Sequence, residues 1–309
     1  MKPHRNATNP PAAAKIAPLS PVFRRQLLLL AACTVVLAGC FAIPLTGLVR
    51  FTLKSELYSH ILLIPLVSLY LAWINRNKLP PDSEPDRRLA CLPLAAGLLL
   101  LVGYYLARHW GHSLPTVDSL AWTTLSFVFL FLAACFFCVG KSTLRSLAFP
   151  LAFLIFCVPF PVFVRDAIEA FLQHRSADAA QLLFGLTGTP LLRNGVEFQL
   201  PGFRMQVAPE CSGIRSTLVL FISSLVAGYL FLRTPWKRAL FALAVIPLGI
   251  FRNALRIVTI GELCVRVDPG FIDSAIHRRG GPVFFVISLA PFLLLLYWLR
   301  RTDVRKPRS

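Results

Sequence analysis

Acidic residues are scarce in this chain: 14 Asp and Glu stand against 32 Lys and Arg, for a formal charge of +18 in 309 residues. Such a balance often marks a nucleic-acid binder, but the sequence has no basic stripe. Its Lys and Arg come as short clusters between apolar runs, a placement that orients helices in a bilayer and excludes nucleic acid as a partner. A disulfide framework is also missing. The cysteines (33, 40, 91, 135, 138, 157, 211 and 264) lie almost all inside apolar runs, where Cys packs as a small hydrophobe and meets no oxidant. Cys135-Phe136-Phe137-Cys138 has redox spacing without the βαβ context of a redox motif, so it reads as packing. No carboxylate cluster accompanies His109-Trp110-Gly111-His112, which excludes a metalloprotease; no metal site and no cofactor are expected. There is no internal repeat, and no low-complexity segment beyond the N-terminal tail.

What the chain has in abundance is apolar length. Apolar residues make up 56% of it and the mean hydropathy is +0.66, values of an integral membrane protein whose surroundings include lipid. Residues 1–24 are Pro-rich with scattered charge and read as a flexible tail; 25–300 form the membrane domain, and 301–309 a basic tail. Within the domain the expected spans are Leu27–Val49, His60–Ile74, Leu89–Ala107, Leu120–Val139, Ser146–Val164, Ser212–Leu232, Ala239–Gly261 and Pro282–Leu299, most of them near the ~20 residues a bilayer requires. Helices satisfy their backbone groups in lipid, whereas open β structure would leave them unpaired. The expected fold is therefore an all-α polytopic bundle of about eight transmembrane helices. The first run is longer than a secretory signal and is followed by no cleavage site, so it stays as an anchor. Leu37-Ala38-Gly39-Cys40 has the look of a lipoprotein box, but Phe41 to Leu45 remains apolar instead of becoming a polar tether.

Lys and Arg concentrate in the two tails and in the connections around residues 75–88, 141–145 and 233–238; the alternate connections carry fewer although they are longer. The positive-inside bias puts both termini in the cytoplasm of a plasma (inner) membrane protein. Segment 165–210 then becomes a small extracytoplasmic subdomain. Ile168, Phe171, Leu172, Leu182, Leu183 and Leu186, spaced among polar residues, predict an interfacial helix. Two alternating stretches, Val196–Leu200 and Phe203–Val207, are bracketed by Asn194-Gly195 and Pro201-Gly202 and predict a hairpin.

On that topology three polar clusters share the outer side. Cys211 precedes an apolar span, flanked by Glu210 and Ser212, with Arg215 one helical turn later. A helix N-terminus and a nearby cation both lower a thiol pKa and favour the nucleophilic thiolate. Arg252 and Arg256 lie at i and i+4 beside Asn253 in an otherwise apolar span, where an ionisable group is costly unless it serves a site or pathway. His277 stands at the foot of the last span. Thiol, guanidinium and imidazole are the parts of an acyl-transfer centre: the imidazole moves protons and the guanidinium receives the carbonyl oxygen as it becomes an oxyanion. The competing class is an anion transporter or channel lined by Arg215, Arg252 and Arg256.

At these residues the chain resembles the exosortase and archaeosortase family of membrane-embedded cysteine transpeptidases. The resemblance rests on Cys211-Ser212-Gly213-Ile214-Arg215-Ser216, on Asn253-Ala254-Leu255-Arg256-Ile257, on His277, and on Tyr58-Ser59-His60, and it covers roughly residues 55–300. It implies Cys211 as nucleophile with Arg256 and His277 as catalytic partners, and the His points to the bacterial branch. Ser212, Arg215, Arg252, Asn253 and His60 are candidates for supporting or substrate-binding roles. Ile61 stands where bacterial members commonly have Gly, so His60 has no assigned role. The implied substrates are exported proteins with a C-terminal signal: a Pro-Glu-Pro-like motif, a transmembrane helix and a basic tail. The cleaved protein passes through a thioester to a surface acceptor, in a setting associated with exopolysaccharide production.

Overall fold

The computed structural model describes residues 20–80, 84–111, 113–208, 212–273 and 281–303. Among the described residues seven helical stretches are long and apolar enough to cross a bilayer, and eight if Ala148–Cys157 and Val162–Thr187 count as one broken span. A three-stranded sheet accompanies them. The chain divides into two compact units, 1–160 and 161–309.

The first unit holds α1 (Pro21–Cys40), α2 (Ala42–Lys54), α3 (Ile64–Ile74), α4 (Arg87–His109), α5 (Thr116–Val139), α6 (Lys141–Ser146) and α7 (Ala148–Phe153). The single span expected over Leu27–Val49 is interrupted at Phe41, because Pro44 in the first turn of α2 has no N–H to offer the Cys40 carbonyl. α3 is flanked by short 3₁₀ turns, Ser59–Leu62 and Asn75–Lys78. α4 and α5 approach closely: a Cβ on Gly97 would stand 2.8 Å from Leu130 Cγ, and the Ser126 hydroxyl donates to the Gly97 carbonyl at 2.8 Å. Small residues that let backbones come together, with a buried hydroxyl spanning the seam, are the usual means of joining helices in lipid, where no hydrophobic force drives them together. Phe23 and Cys33 of α1 pack with Cys135 and Cys138 of α5, so that the CxxC pair is part of an apolar cluster. The Ser68 hydroxyl joins α3 to the Pro150 carbonyl of α7 at 2.6 Å.

The span expected over Ser146–Val164 is likewise broken. Helix stops at Cys157 and resumes at Val162, with Pro159 and Pro161 between, each denying helical geometry to the residue before it.

The second unit begins with α8 (Val162–Thr187), followed by β1 (Leu192–Asn194), β2 (Glu197–Leu200) and β3 (Phe203–Gln206), then α9 (Ile214–Phe231), α10 (Pro235–Leu243), α11 (Val245–Arg266) and α12 (Gly281–Arg301). The hairpin expected from the alternating stretches is present as β2 and β3, antiparallel with Phe198 opposite Met205; β1, not expected, adds to the other edge of β2. The inner faces of β2 and β3, Phe198, Leu200 and Met205, close over α8 and α11 together with Ala177, Ala180, Phe184, Ala254, Ile257 and Val258. α8 therefore buries a seam of mostly small residues. The larger Phe171, Leu182 and Leu186, which the amphipathic reading emphasised, are exposed.

Polar contacts fasten the ends of these helices. The Glu262 carboxylate of α11 accepts from the hydroxyls of Thr187, the last residue of α8, and of Thr189 just past it, each at 2.6 Å, and from Arg266 Nε at 2.6 Å. At the far end of α9, Asp303 accepts from the Arg233 N–H at 2.5 Å and from the Thr234 hydroxyl, and lies 3.5 Å from Lys237 Nζ. Leu220, Leu232, Phe241, Val245, Phe292 and Leu299 form the apolar cluster among α9, α10, α11 and α12.

Candidate active site

α9 starts from a left-handed residue. Gly213, with φ +77°, is its N-cap; Ser212 before it is 2% exposed, and the Ser212 hydroxyl accepts the Ile214 N–H at 3.4 Å. A residue with a Cβ is strained in that conformation, which explains the glycine in Cys-Ser-Gly-Ile. The described helix begins at Ile214, three positions after Cys211 in the sequence. Arg215 itself is on the exposed side of the first turn.

α11 meets this turn directly. Arg252 is 5% exposed and Asn253 3%. Arg252 Nη2 donates to the Gly213 carbonyl at 3.3 Å and to Thr217 Oγ1 at 3.2 Å. A Cβ on Gly213 would stand 3.1 Å from Arg252 Nη2 and 3.4 Å from Asn253 Cγ, so both residues of α11 are in contact with the turn. Nearer the start of α11, Gly249 is pressed against α9: a Cβ there would come within 2.5 Å of Thr217 Oγ1. Arg256 follows Arg252 by one turn and is half-buried. Among the described residues Arg252 takes part in no ion pair, and its Nη1 has no hydrogen-bond partner.

The structure thus brings together Ser212, Gly213, Arg252 and Asn253, residues from two motifs separated by about forty positions of sequence. Cys211 and His277 lie outside the described residues. His60 belongs to the first unit, on the 3₁₀ turn Ser59–Leu62, where its Nδ1 donates to the Leu57 carbonyl at 3.0 Å. With Tyr58, Ile155, Phe156, Val158 and Phe160 it lines a cavity of ≈ 70 Å³, and the Tyr58 hydroxyl donates to the Phe160 carbonyl at 3.2 Å.

Sequence reasoning quoted Gly213 only as a member of the cysteine motif, with no role of its own, and gave none to Thr217 or Gly249. The signal for Gly213 was available, since a glycine between a polar turn and an apolar helix suggests a special backbone conformation. Nothing in the sequence marks Thr217 and Gly249 as neighbours.

The chain is thus a polytopic helical membrane protein in which the N-cap of one helix meets a buried arginine of another. The family described as transmembrane exosortase (Exosortase_EpsH) matches residues 52–294, and the chain belongs to that family. Its members are membrane cysteine transpeptidases that process sorting signals, which selects the enzyme over the anion pathway. No curated protein and no solved structure matches the chain.

Proposed function

We propose that Cys211 is the nucleophile of a transpeptidase that cuts a C-terminal sorting signal from exported proteins, with Arg256 and His277 as its catalytic partners. The observation that carries this reading is the contact of the Ser212–Gly213 turn with Arg252 and Asn253, which joins the cysteine motif to the arginine motif within one turn of Arg256.

The thiolate of Cys211 attacks the scissile carbonyl carbon, and the carbonyl oxygen takes up the charge opposite the Arg256 guanidinium. The C–N bond breaks as His277, which took the proton of the Cys211 thiol, delivers it to the departing amine, giving a thioester and releasing the substrate's membrane tail. A nucleophile from a surface acceptor then attacks the thioester, His277 takes its proton, and the Cys211 thiolate leaves. Both termini are cytoplasmic on this reading, because the basic clusters favour that side, and the reaction occurs at the extracytoplasmic face of the inner membrane. A substrate helix lying in the same bilayer presents its scissile segment at that depth.

The test is co-expression with a reporter ending in a Pro-Glu-Pro motif, an apolar helix and an Arg-rich tail. Wild-type chain is expected to shorten the reporter and to yield a mass-shifted, hydroxylamine-sensitive adduct on Cys211. Cys211→Ala is expected to yield neither. Reporter shortening by Cys211→Ala overturns the assignment.

A further inference from the structure

We propose that Arg252 is a positioning residue that holds the turn next to the nucleophile in one orientation against α11; this rests on the assignment of Cys211 above. The carbonyl of Gly213 is the hub of that turn. It accepts from the Thr217 N–H at 3.0 Å, from the Ser216 hydroxyl at 3.1 Å and from Arg252 Nη2 at 3.3 Å. The same nitrogen of Arg252 reaches Thr217 Oγ1, so one planar guanidinium grips both the N-cap residue and the first turn of α9. A planar group that spans two acceptors fixes direction as well as distance.

Simple attachment of α9 to α11 does not require it. Gly249 and Thr217 already supply a close small-residue contact one turn earlier on α11, the ordinary way of joining helices in a bilayer. A buried guanidinium carries a heavy desolvation penalty, and here no carboxylate among the described residues offsets it. Among the described residues its Nη1 also has no hydrogen-bond partner. What the charge adds is strong, directed donation to the turn that follows Cys211 and Ser212. Gly213 completes the arrangement: its left-handed backbone aims the carbonyl at Arg252, and the guanidinium occupies the space a side chain there would need.

The experiment measures kcat and KM for cleavage of the same reporter by full-length chain in membranes, comparing Arg252→Met, Arg252→Lys, Thr217→Val and the Arg252→Lys/Thr217→Val double variant. Arg252→Met is expected to lower kcat about 100-fold with KM changed less than about threefold, the pattern of a misplaced reacting group. Arg252→Lys, which keeps a donor for the Gly213 carbonyl but not the planar grip, is expected to recover about tenfold of that loss. The double variant is expected to be no worse than Arg252→Lys, because both changes act on one contact. A kcat for Arg252→Met within about twofold of wild type, or a raised KM at unchanged kcat, overturns the positioning role. If Arg252→Met fails to accumulate, the Lys and Val variants decide: additive losses overturn the proposal and non-additive ones support it. Cys211→Ala runs alongside, and activity there overturns the nucleophile assignment separately from any result at Arg252.

Discussion

Gly249→Ala adds a single methyl group at the closest approach of α9 and α11, and its effect can be worked out from the contact. The new Cβ would stand 2.5 Å from Thr217 Oγ1 and 3.0 Å from Thr217 Cγ2, where ordinary contact begins at 3.4 Å. Taking 2.5 from 3.4 leaves about 0.9 Å for the helices to part. Neither neighbour yields easily, since Thr is branched at Cβ and both residues lie within helices. Overpacking of this size costs about 1–3 kcal/mol. It also moves Arg252 and Arg256 away from the Gly213 turn by nearly the same amount, and a displacement near 1 Å at a reacting centre can cost about 100-fold in rate. Detergent-solubilised Gly249→Ala is therefore expected to melt below wild type and to cleave reporter at about one hundredth of its rate. Adding Thr217→Ala removes both clashing atoms, so the double variant is expected to regain melting temperature. It should not regain full rate, because Arg252 has lost an acceptor. A Gly249→Ala protein as stable and as fast as wild type would refute the reasoning.

Two further outcomes concern stability away from the site. Asp303 is held down to about 2, first by the Thr234 hydroxyl and next by the Arg233 N–H, so its carboxylate stabilises the folded chain at every pH above the unfolded value of about 3.9. Asp303→Asn is expected to cost about 2 kcal/mol, constant from neutral pH down to about 5, with the difference shrinking as pH falls toward 2; thermal melts across that range check it. Gly97→Ala places a Cβ 2.8 Å from Leu130 Cγ and 3.2 Å from the Leu130 nitrogen, and is expected to destabilise the α4–α5 pair by about 1–3 kcal/mol. Leu130→Ala should relieve only the side-chain part of that clash, leaving a residual loss in the same melt.

Periodicity and length made most of the helices legible, and alternation between Gly-containing turns located β2 and β3. What escaped has identifiable causes. Pro44, Pro159 and Pro161 sit in runs whose hydropathy is uninterrupted, so an average over the run hides the missing N–H that breaks the helix. On α8 the large apolar residues drew attention, whereas the buried seam uses Ser176, Ala177 and Ala180, which carry little hydrophobic signal but allow close approach to α11. β1 is only three residues long and gains its place by pairing with β2, a tertiary fact. At the site, residue identity pointed to Arg252 and Asn253. Their contact with Gly213 required knowing how two helices cross.

α9 is tied at both ends, by a guanidinium on the carbonyl of Gly213 and by Asp303 on the turn that follows Phe231. A rod pinned at top and bottom resists sliding and pivoting. If Cys211 is the nucleophile as proposed, the movements that admit a substrate and release its cleaved tail are expected in the segments around that rod, with its upper end serving as a fixed reference from one turnover to the next.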